Sequence, residues 1–313
     1  MGRRRLLLLL KPVDVYPFGR SSSSLSRVTT PKITSFLENR HEVHKAAINF
    51  CQGVLKNKGV DCETVLRAHL SKPIRNFDLV VTIGGDGTLL QASHFMDDSI
   101  PVLGVNSDPT IVEEVEEYAN DFDASRSTGY LCAANVNNFE QVLDDILHDK
   151  ISASRLARIL LTVNSVPVPT YALNDVLISH PCPATVSRFS FRISKDDELH
   201  APIANCRSSG LRLSTGAGST AAMLSAGGFA MSILSQDLQY MVREPISPRP
   251  AISSLMHGII KSGQSMDVSW FSEKGVIYID GSHVRHDIQD GDVIQLSSKA
   301  PVLRVFLPCR TLS

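Results

Sequence analysis

Residues 77–94 read FDLVVTIGGDGTLLQASH and decide the fold of the first half of the chain. The segment opens on a short apolar run bounded by glycine, which is typical of a buried parallel strand. Gly84, Gly85 and Gly87 follow as a strand-to-helix turn, and we expect a helix to open at Thr88. Glycines there let backbone N–H groups approach an anion, and a helix N-terminus favours negative charge. The segment predicts a phosphate-binding loop without the GxxxxGK[ST] pattern.

Asp86 is the unexpected member of this loop, because a carboxylate repels the phosphates that the neighbouring amides attract. It fits a loop in which the carboxylate takes a proton from a hydroxyl nucleophile, or helps to hold a metal that bridges phosphates. The structural alternative is a tight turn whose Asp side chain caps the next helix. The strand before it and the helix after it favour the chemical interpretation.

The chain divides into two regions with different patterns of apolar and polar residues. Strand-like apolar runs alternate with amphipathic helical patterns such as residues 36–55 and 139–147, which predicts a parallel α/β sheet. From about Ser154, short alternating segments separated by Pro, Gly and Ser turns predict a mainly-β region. One helical stretch is expected after Gly218, and the domain boundary is placed near Lys150.

Two further segments carry patterns that allow more than one interpretation. Residues 211–228 read LRLSTGAGSTAAMLSAGG, and residues 216–221 within them satisfy the dinucleotide pattern G-x-G-x-x-A. Tight packing of a helix on a sheet, or a close wall around a ligand, explains the same small residues. In the strand-like run 171–180, Asn174 and Asp175 could bind adenine and ribose groups or form a structural turn.

Composition excludes several classes of protein. Lys plus Arg number 31 against 32 Asp plus Glu, so the basic excess of a nucleic-acid-binding protein is absent. No apolar stretch approaches a membrane span. The six cysteines include no CxxC pair, which favours free thiols in a reducing, cytoplasmic compartment over a disulfide framework or a zinc site. The last three residues, 311–313, are not a recognisable SKL-type peroxisomal signal, and the peroxisome stays the alternative compartment.

Four segments together resemble the NAD kinase family: GGDGTLL at 84–90, LNDV at 173–176, STGAGSTAAMLSAGG at 214–228 and YIDG at 278–281. The family shares GGDGT with diacylglycerol and sphingosine kinases. The Asn-acid pair followed by the segment rich in Gly, Ser and Thr is the feature that points to NAD kinases. Essentially the whole chain is similar to the plant NADH kinase branch of that family.

This resemblance implies a Rossmann-like α/β domain, residues 1–150 with 299–313 returning to it, and a β-rich, sandwich-like domain, residues 151–298, with the active site between them. It implies transfer of a phosphoryl group from ATP, with Mg²⁺, to the adenosine ribose 2′-hydroxyl of NADH or NAD⁺, in a homodimer. Asp86 would be the general base, and no protein side chain is expected to bind a metal directly. The implied binding residues are Gly84, Gly85, Gly87, Thr88, Asn174, Asp175, Arg207, Gly218, Ser219, Thr220 and Ser225.

The chain departs from the common family pattern at three places. Ser209 replaces an Asp, Ala222 replaces an aromatic residue, and residues 107–128 form an acidic insertion. Our hypothesis is that the first two changes help to set a preference for NADH over NAD⁺. A lipid kinase of the same superfamily and a non-catalytic NAD(H)-binding regulator are the alternatives from other classes.

Overall fold

The structure is a computed structural model that describes residues 4–13, 31–195, 202–246 and 253–308. These residues form two compact units. One runs to Ser154 and resumes at Arg304, and the other is Arg155–Leu303. The boundary expected from the sequence lay near Lys150, with the return at residue 299. Residues 309–313 of that return lie outside the described residues.

The first unit is a parallel sheet with helices. Its elements are β1 (Arg5–Leu10), α1 (Pro31–Asn57), β2 (Asp61–Leu66), β3 (Leu79–Gly84), α2 (Asp86–Ser93), β4 (Val102–Asn106), α3 (Val112–Tyr118), β5 (Ala134–Asn135) and α4 (Phe139–Leu147). Two further strands, β6 (Ser154–Leu156) and β19 (Leu303–Phe306), cross the boundaries between the units. The strand order is β2-β1-β3-β4-β19-β6, and β5 also pairs with β4. Five consecutive leucines in β1 are buried, because apolar groups cover both faces of the strand.

The strands of this sheet end in register. Leu10 of β1 lies opposite Leu66 of β2 and Ile83 of β3. Gly84 of β3 lies opposite Asn106 of β4. Since all these strands are parallel, the residues that follow them lie along one edge of the sheet. That edge carries the glycine loop.

The second unit is built from antiparallel strands. Its elements are β7 (Leu160–Val163), β8 (Val166–Pro167), β9 (Asp175–Ser179), β10 (Ser187–Lys195), β11 (Ala204–Ser208), β12 (Gly210–Ser214), α5 (Ala222–Ser225), β13 (Leu238–Arg243), β14 (His257–Ile260), β15 (Gln264–Trp270), β16 (Lys274–Ile279), β17 (Val284–Gln289) and β18 (Val293–Ser297). One sheet has the order β11-β10-β15-β18-β7-β8, and the other β14-β13-β12-β9-β16-β17. Alternate residues of both sheets point into one shared core, in which Trp270 stacks on Phe189 with ring centroids 6.1 Å apart. This arrangement is a β-sandwich, as expected.

Two local expectations need correction. The helix after the glycine loop begins at Asp86, not Thr88, because the extended backbone of Gly85 already caps it. The stretch after Gly218 forms only a 3-10 turn and the single helical turn α5, since its glycines and small residues give little helical stability. The acidic insertion contains the helix α3. Among the described residues, no helix combines the length and apolar character that a membrane crossing requires.

Candidate functional site

The glycine loop uses each of its glycines differently. A Cβ atom on Gly84 would lie 2.2 Å from Oγ1 of Thr88, and one on Gly85 would lie 2.6 Å from Oγ of Ser127. The fold itself therefore requires these two glycines. A Cβ on Gly87 would meet nothing within 4 Å. Gly87 is exposed, so the open space beside it is available to a ligand.

The carboxylate of Asp86 is held by the chain segment that follows the acidic insertion. The backbone N–H of Tyr130 donates to Oδ2 at 2.9 Å, and that of Leu131 donates to Oδ1 at 2.9 Å. The thiol of Cys132 lies 3.5 Å from Oδ1. Both oxygens are acceptors, so the carboxylate is fixed in orientation at the first turn of α2. That orientation suits a group that receives a proton from a substrate hydroxyl.

A buried histidine joins α1 to the edge of the sheet. His44 is fully buried, its Nδ1 lies 2.7 Å from Oγ of Ser107, and its Nε2 lies 2.9 Å from the carbonyl oxygen of Lys11. Burial lowers the pKa of His44, which favours the neutral imidazole. The Lys11 carbonyl can only accept, so Nε2 carries the proton and Nδ1 accepts from Ser107. His44 thus links Lys11 to Ser107 through hydrogen bonds. The backbone N–H of Ser107 in turn donates to the Gly84 carbonyl at 2.8 Å, so these bonds fix the backbone beside the glycine loop.

The acidic insertion is anchored by two buried arginines. Arg40 and Arg126 both donate to Oδ1 of Asp108, at 3.0 and 2.9 Å, and both form ion pairs with Glu114. The two guanidinium groups lie 5.2 and 5.0 Å from the ring centroid of Phe36. The cluster balances two positive against two negative charges and adds cation–π contacts. It orders the insertion against α1.

These groups surround one cavity of about 580 Å³. The glycine loop forms one part of its wall, and basic side chains and the insertion form others. Its lining includes Lys11, Arg40, Arg67, Gly84, Gly85, Asp86, Gly87, Thr88, Asn106, Asp108 and Arg126. A cavity with several cations and a glycine loop in its wall is suited to a polyphosphate.

In the second unit, Asp280 holds the segment that contains Asn174 and Asp175. Its Oδ2 accepts from the N–H of Leu173 at 2.8 Å, and its Oδ1 accepts from the N–H groups of Asn174 at 2.7 Å and Asp175 at 3.0 Å. Asp280 has a φ of 52°, which turns its side chain back toward these amides. The Asn-acid pair is therefore a clamped turn at the start of β9.

The carboxylate of Asp175 forms an ion pair with Arg212 of β12. The two side chains are 14% and 13% exposed, so the pair is largely removed from water. Burial raises the pKa of Asp175, the guanidinium of Arg212 lowers it, and the charge of Asp280 raises it again. Arg212 is thus the group that favours the ionised form of Asp175.

Close packing against the Asn174 turn explains the small residues after β12. A Cβ on Gly218 would lie 2.1 Å from the carbonyl oxygen of Asn174. The hydroxyl of Thr215 donates to the Leu173 carbonyl at 2.5 Å and accepts from the Gly218 N–H at 3.1 Å. Ser219 is fully buried and donates to the Gly216 carbonyl at 2.7 Å. The G-x-G-x-x-A spacing here follows an antiparallel strand, so it is not a Rossmann fingerprint.

Two neighbouring cavities flank Arg212 and Ala222. The cavity of about 420 Å³ is lined by Arg212, Ala222, Ser225, Ala226, Met241, Arg243 and Glu244. The cavity of about 350 Å³ is lined by Asp175, Leu177, Arg212, Ala222, Tyr278, Gly281 and Ser282. Ala222, where the common family pattern has an aromatic residue, borders both. Glu244 lines the first cavity and accepts a hydrogen bond from the hydroxyl of Ser209.

The structure distributes the expected site residues between the two units. Gly84, Gly85, Asp86, Gly87 and Thr88 line the large cavity of the first unit. In the second unit, Asp175 and Ser225 line the smaller cavities, and Asn174, Gly218, Ser219 and Thr220 belong to the clamped turn and its packing. Arg207 is exposed on β11 and lines neither of the two cavities around Arg212.

Several residues that sequence reasoning missed belong to these sites. Lys11 and Arg67 line the large cavity, while Arg212 and Asp280 organise the Asn174 turn. Two signals were available: Lys11 and Arg67 each directly follow a strand, and Asp280 lies in the YIDG segment at 278–281. Nothing local marks Arg212, whose partner lies 37 residues away.

Comparison with known proteins identifies relatives along the whole chain. A family model described as "ATP-NAD kinase N-terminal domain" matches residues 23–109. An NADH kinase of Arabidopsis thaliana is 58% identical over 98% of this chain and 96% of its own.

Solved structures share the fold. A yeast NADH kinase complexed with NADH superposes with a TM-score of 0.66 at 16% identity, covering 97% of this chain and 81% of that one. An NAD kinase from Archaeoglobus fulgidus in complex with ATP gives a TM-score of 0.65 at 18% identity, covering 98% of this chain and 95% of that one. At these identities the likeness establishes the architecture of the chain.

Proposed function

The chain belongs to the NAD kinase family, and we infer that it is a kinase that phosphorylates NAD(H). We also propose which of its residues bind the substrates and carry out the reaction. The single observation that carries the inference is the 58% identity to an NADH kinase over nearly the whole of both chains. The glycine loop with its fixed carboxylate agrees with it. Neither a lipid kinase nor a non-catalytic regulator is supported by the relatives.

The proposed reaction is in-line phosphoryl transfer at the glycine loop. The ribose 2′-oxygen of the dinucleotide forms a bond to the γ-phosphorus of ATP, and the bond from that phosphorus to the β–γ bridging oxygen breaks, leaving ADP. Asp86 receives the hydroxyl proton through the carboxylate that Tyr130 and Leu131 orient. The backbone around Gly87, where space is open, binds phosphate oxygens.

Mg²⁺ is proposed as part of the ATP substrate. Across the part of the chain that the structure describes, no three His, Cys, Asp or Glu side chains are grouped so that they could hold a metal. Asp108 already accepts from two arginines, and Asp86 from two amides. Such a site fits an ion held mainly by phosphate oxygens and water, as Mg²⁺ often is. When bound, the ion would neutralise phosphate charge.

The dinucleotide is proposed to bind through the second unit. Asp175, whose carboxylate pairs with Arg212, accepts hydrogen bonds from hydroxyls of the adenosine part, and Asn174 offers both donors and acceptors. Gly218, Ser219 and Thr220 support this turn. We assign Ser225 to the pocket wall, whereas the support for Arg207 is the family resemblance alone.

The test of the base is the substitution Asp86→Asn. We expect kcat to fall by about 10²- to 10⁴-fold, the typical contribution of a general base. Binding of ATP and NADH, measured by calorimetry, should change much less. The unfolding temperature must be recorded, because the amide places an N–H₂ group toward one of the two backbone N–H donors. A variant that stays folded and keeps its kcat would overturn the role of Asp86.

We also propose that the pocket around Ala222 favours NADH over NAD⁺. Restoring the family side chains with Ser209→Asp and Ala222→Tyr should shift the ratio of kcat/KM values toward NAD⁺. The new carboxylate at position 209 would lie beside Glu244, whose charge opposes it. The double variant should therefore be compared with and without Glu244→Gln. An unchanged ratio in both backgrounds would rule the idea out.

A cytoplasmic homodimer is the proposed form of the enzyme. Light scattering should then give twice the chain mass of 34.2 kDa, and a fluorescent fusion should fill the cytosol. A monomeric mass or an organellar pattern would contradict the respective proposal.

A further inference from the structure

Two basic residues occupy equivalent positions at the carboxyl edge of the parallel sheet. Lys11 is the residue directly after β1, and Arg67 is the residue directly after β2. The glycine loop follows β3, which is hydrogen-bonded to β1. Ligands of open α/β sheets bind at the carboxyl ends of the strands. The topology therefore brings Lys11 and Arg67 to the edge where the glycine loop binds its ligand.

Direct contacts place both side chains against the loop. The N–H of Lys11 donates to the carbonyl of Ile83 at 2.9 Å, and a Cβ on Gly84 would lie 3.0 Å from the Cβ of Lys11. Nη1 of Arg67 lies 3.4 Å from Oγ1 of Thr88. Lys11 and Arg67 line the same 580 Å³ cavity as Asp86.

The electrostatics of this edge favour an anion. Burial lowers the pKa of Lys11, the charge of Arg67 lowers it further, and Asp108 opposes both effects. Asp108 also accepts from Arg40 and Arg126, so its charge is shared among several cations. Two cations held near each other repel, and a multiply charged anion placed in the cavity would offset that repulsion.

We propose that Lys11 and Arg67 bind the polyphosphate of ATP beside the glycine loop. The inference rests on the proposed kinase function and adds two residues to it. The transferring phosphoryl group and the leaving ADP carry negative charge that develops during the reaction, and fixed cations stabilise it. Arginine can contact two oxygens at once, whereas lysine acts as a compact point charge.

The alternative is a structural role, in which Lys11 covers Gly84 and Arg67 packs against Thr88. A structural role would lower stability and affect both substrates alike. In the proposed role the two side chains contact the phosphates of ATP and not the diphosphate of NADH, so the two roles are separable by comparing the KM values for ATP and NADH.

The first experiment uses Lys11→Met and Arg67→Met in the full chain, with Lys72→Met and Arg75→Met as matched controls. The control side chains are exposed in the loop between β2 and β3. Each test variant should raise the KM for ATP by roughly 10- to 100-fold, the range for losing a charged hydrogen bond. The KM for NADH and the control variants should stay within about twofold of wild type. Unchanged KM for ATP in both test variants would overturn the proposal.

A second measurement does not depend on turnover. Inorganic tripolyphosphate should bind the wild-type chain in calorimetry, and each test variant should bind it at least several-fold more weakly. If the wild type fails to phosphorylate NADH, the kinase function is wrong, yet this titration still decides whether the cation pair binds polyphosphate. Equal affinity in wild type and variants would reject the pair.

If a Met variant does not fold, Lys11→Arg tests the same proposal through the pH dependence of the KM for ATP. In wild type, the KM for ATP should rise as alkaline pH removes the Lys11 charge, at a pH below the usual lysine range. Arg67 stays charged there, Asp108 stays ionised, and His44 is already neutral. Lys11→Arg should flatten this rise and retain ATP binding. An identical rise in the variant would contradict the assignment.

Discussion

Asp280 accepts three backbone hydrogen bonds, so the effect of replacing it with Asn on the free energy of unfolding can be estimated from the structure. Asp280→Asn keeps the size of the side chain, and Asn tolerates the φ of 52° found there. The acceptor capacity and the charge of the side chain change. The amide has one acceptor oxygen where the carboxylate offers two to the N–H groups of Leu173, Asn174 and Asp175.

The free energy of unfolding should fall by about 2–4 kcal/mol. If the amide oxygen serves Asn174 and Asp175, losing the charged bond from Leu173 costs about 1.5–3 kcal/mol, and exchanging two charged bonds for neutral ones adds about 1 kcal/mol. Removing the Asp280 charge also relieves repulsion toward Asp175, which offsets part of the loss.

The assay is urea unfolding followed by the fluorescence of Trp270. It is the only tryptophan of the chain and is buried in the core of the second unit, so it reports that unit. Asp290→Asn, at an exposed turn of the same unit, is the control and should stay within about 0.5 kcal/mol. The KM for NADH should rise in Asp280→Asn while that for ATP stays nearly constant. An unfolding midpoint equal to that of the control would refute the reasoning.

Three further predictions concern other parts of the molecule. Gly84→Ala should lower the unfolding temperature by several degrees, because its Cβ would lie 2.2 Å from a threonine oxygen, while Gly87→Ala should unfold like wild type; equal temperatures for the two would contradict this. Arg212→Met should move the acid limb of the kcat/KM profile for NADH to higher pH, because Asp175 loses the charge that lowers its pKa; an acid limb at the same pH as in wild type would contradict a role of Asp175 in binding. Iodoacetamide should modify Cys182 first among the described cysteines, since that thiol is exposed and a hydrogen bond from the Ala184 backbone lowers its pKa; peptide mass spectrometry that finds a buried cysteine modified earlier would disprove this.

Local patterns were sufficient to predict the parallel sheet and the glycine loop. The short apolar run before Gly84, bounded by glycine, is typical of a buried parallel strand, and it forms β3. The start of α2 was misplaced by two residues, because an Asp-Gly pair reads equally as a turn and as a first helical turn. The stretch after Gly218 forms only single helical turns, since Gly218 packs on the Asn174 turn.

The organisation of the site could not be read from local patterns. Arg40 pairs with Asp108 across 68 residues, and Asp280 binds Leu173 across 107. Such pairs depend on how strands are ordered in a sheet, which local periodicity does not specify. Arg212 in β12 looks like an ordinary strand residue until its ion pair is seen. Tertiary structure was needed for each of these assignments.

The most direct test of the kinase assignment is a competition between the two dinucleotides. Purified protein is incubated with Mg·ATP and equal concentrations of NADH and NAD⁺, and NADPH, NADP⁺ and ADP are quantified by chromatography, with Asp86→Asn alongside. We predict that ADP forms in equal amount to the phosphorylated dinucleotides, that NADPH exceeds NADP⁺, and that Asp86→Asn forms neither at a comparable rate. No phosphorylated dinucleotide from the folded wild-type protein would contradict the account.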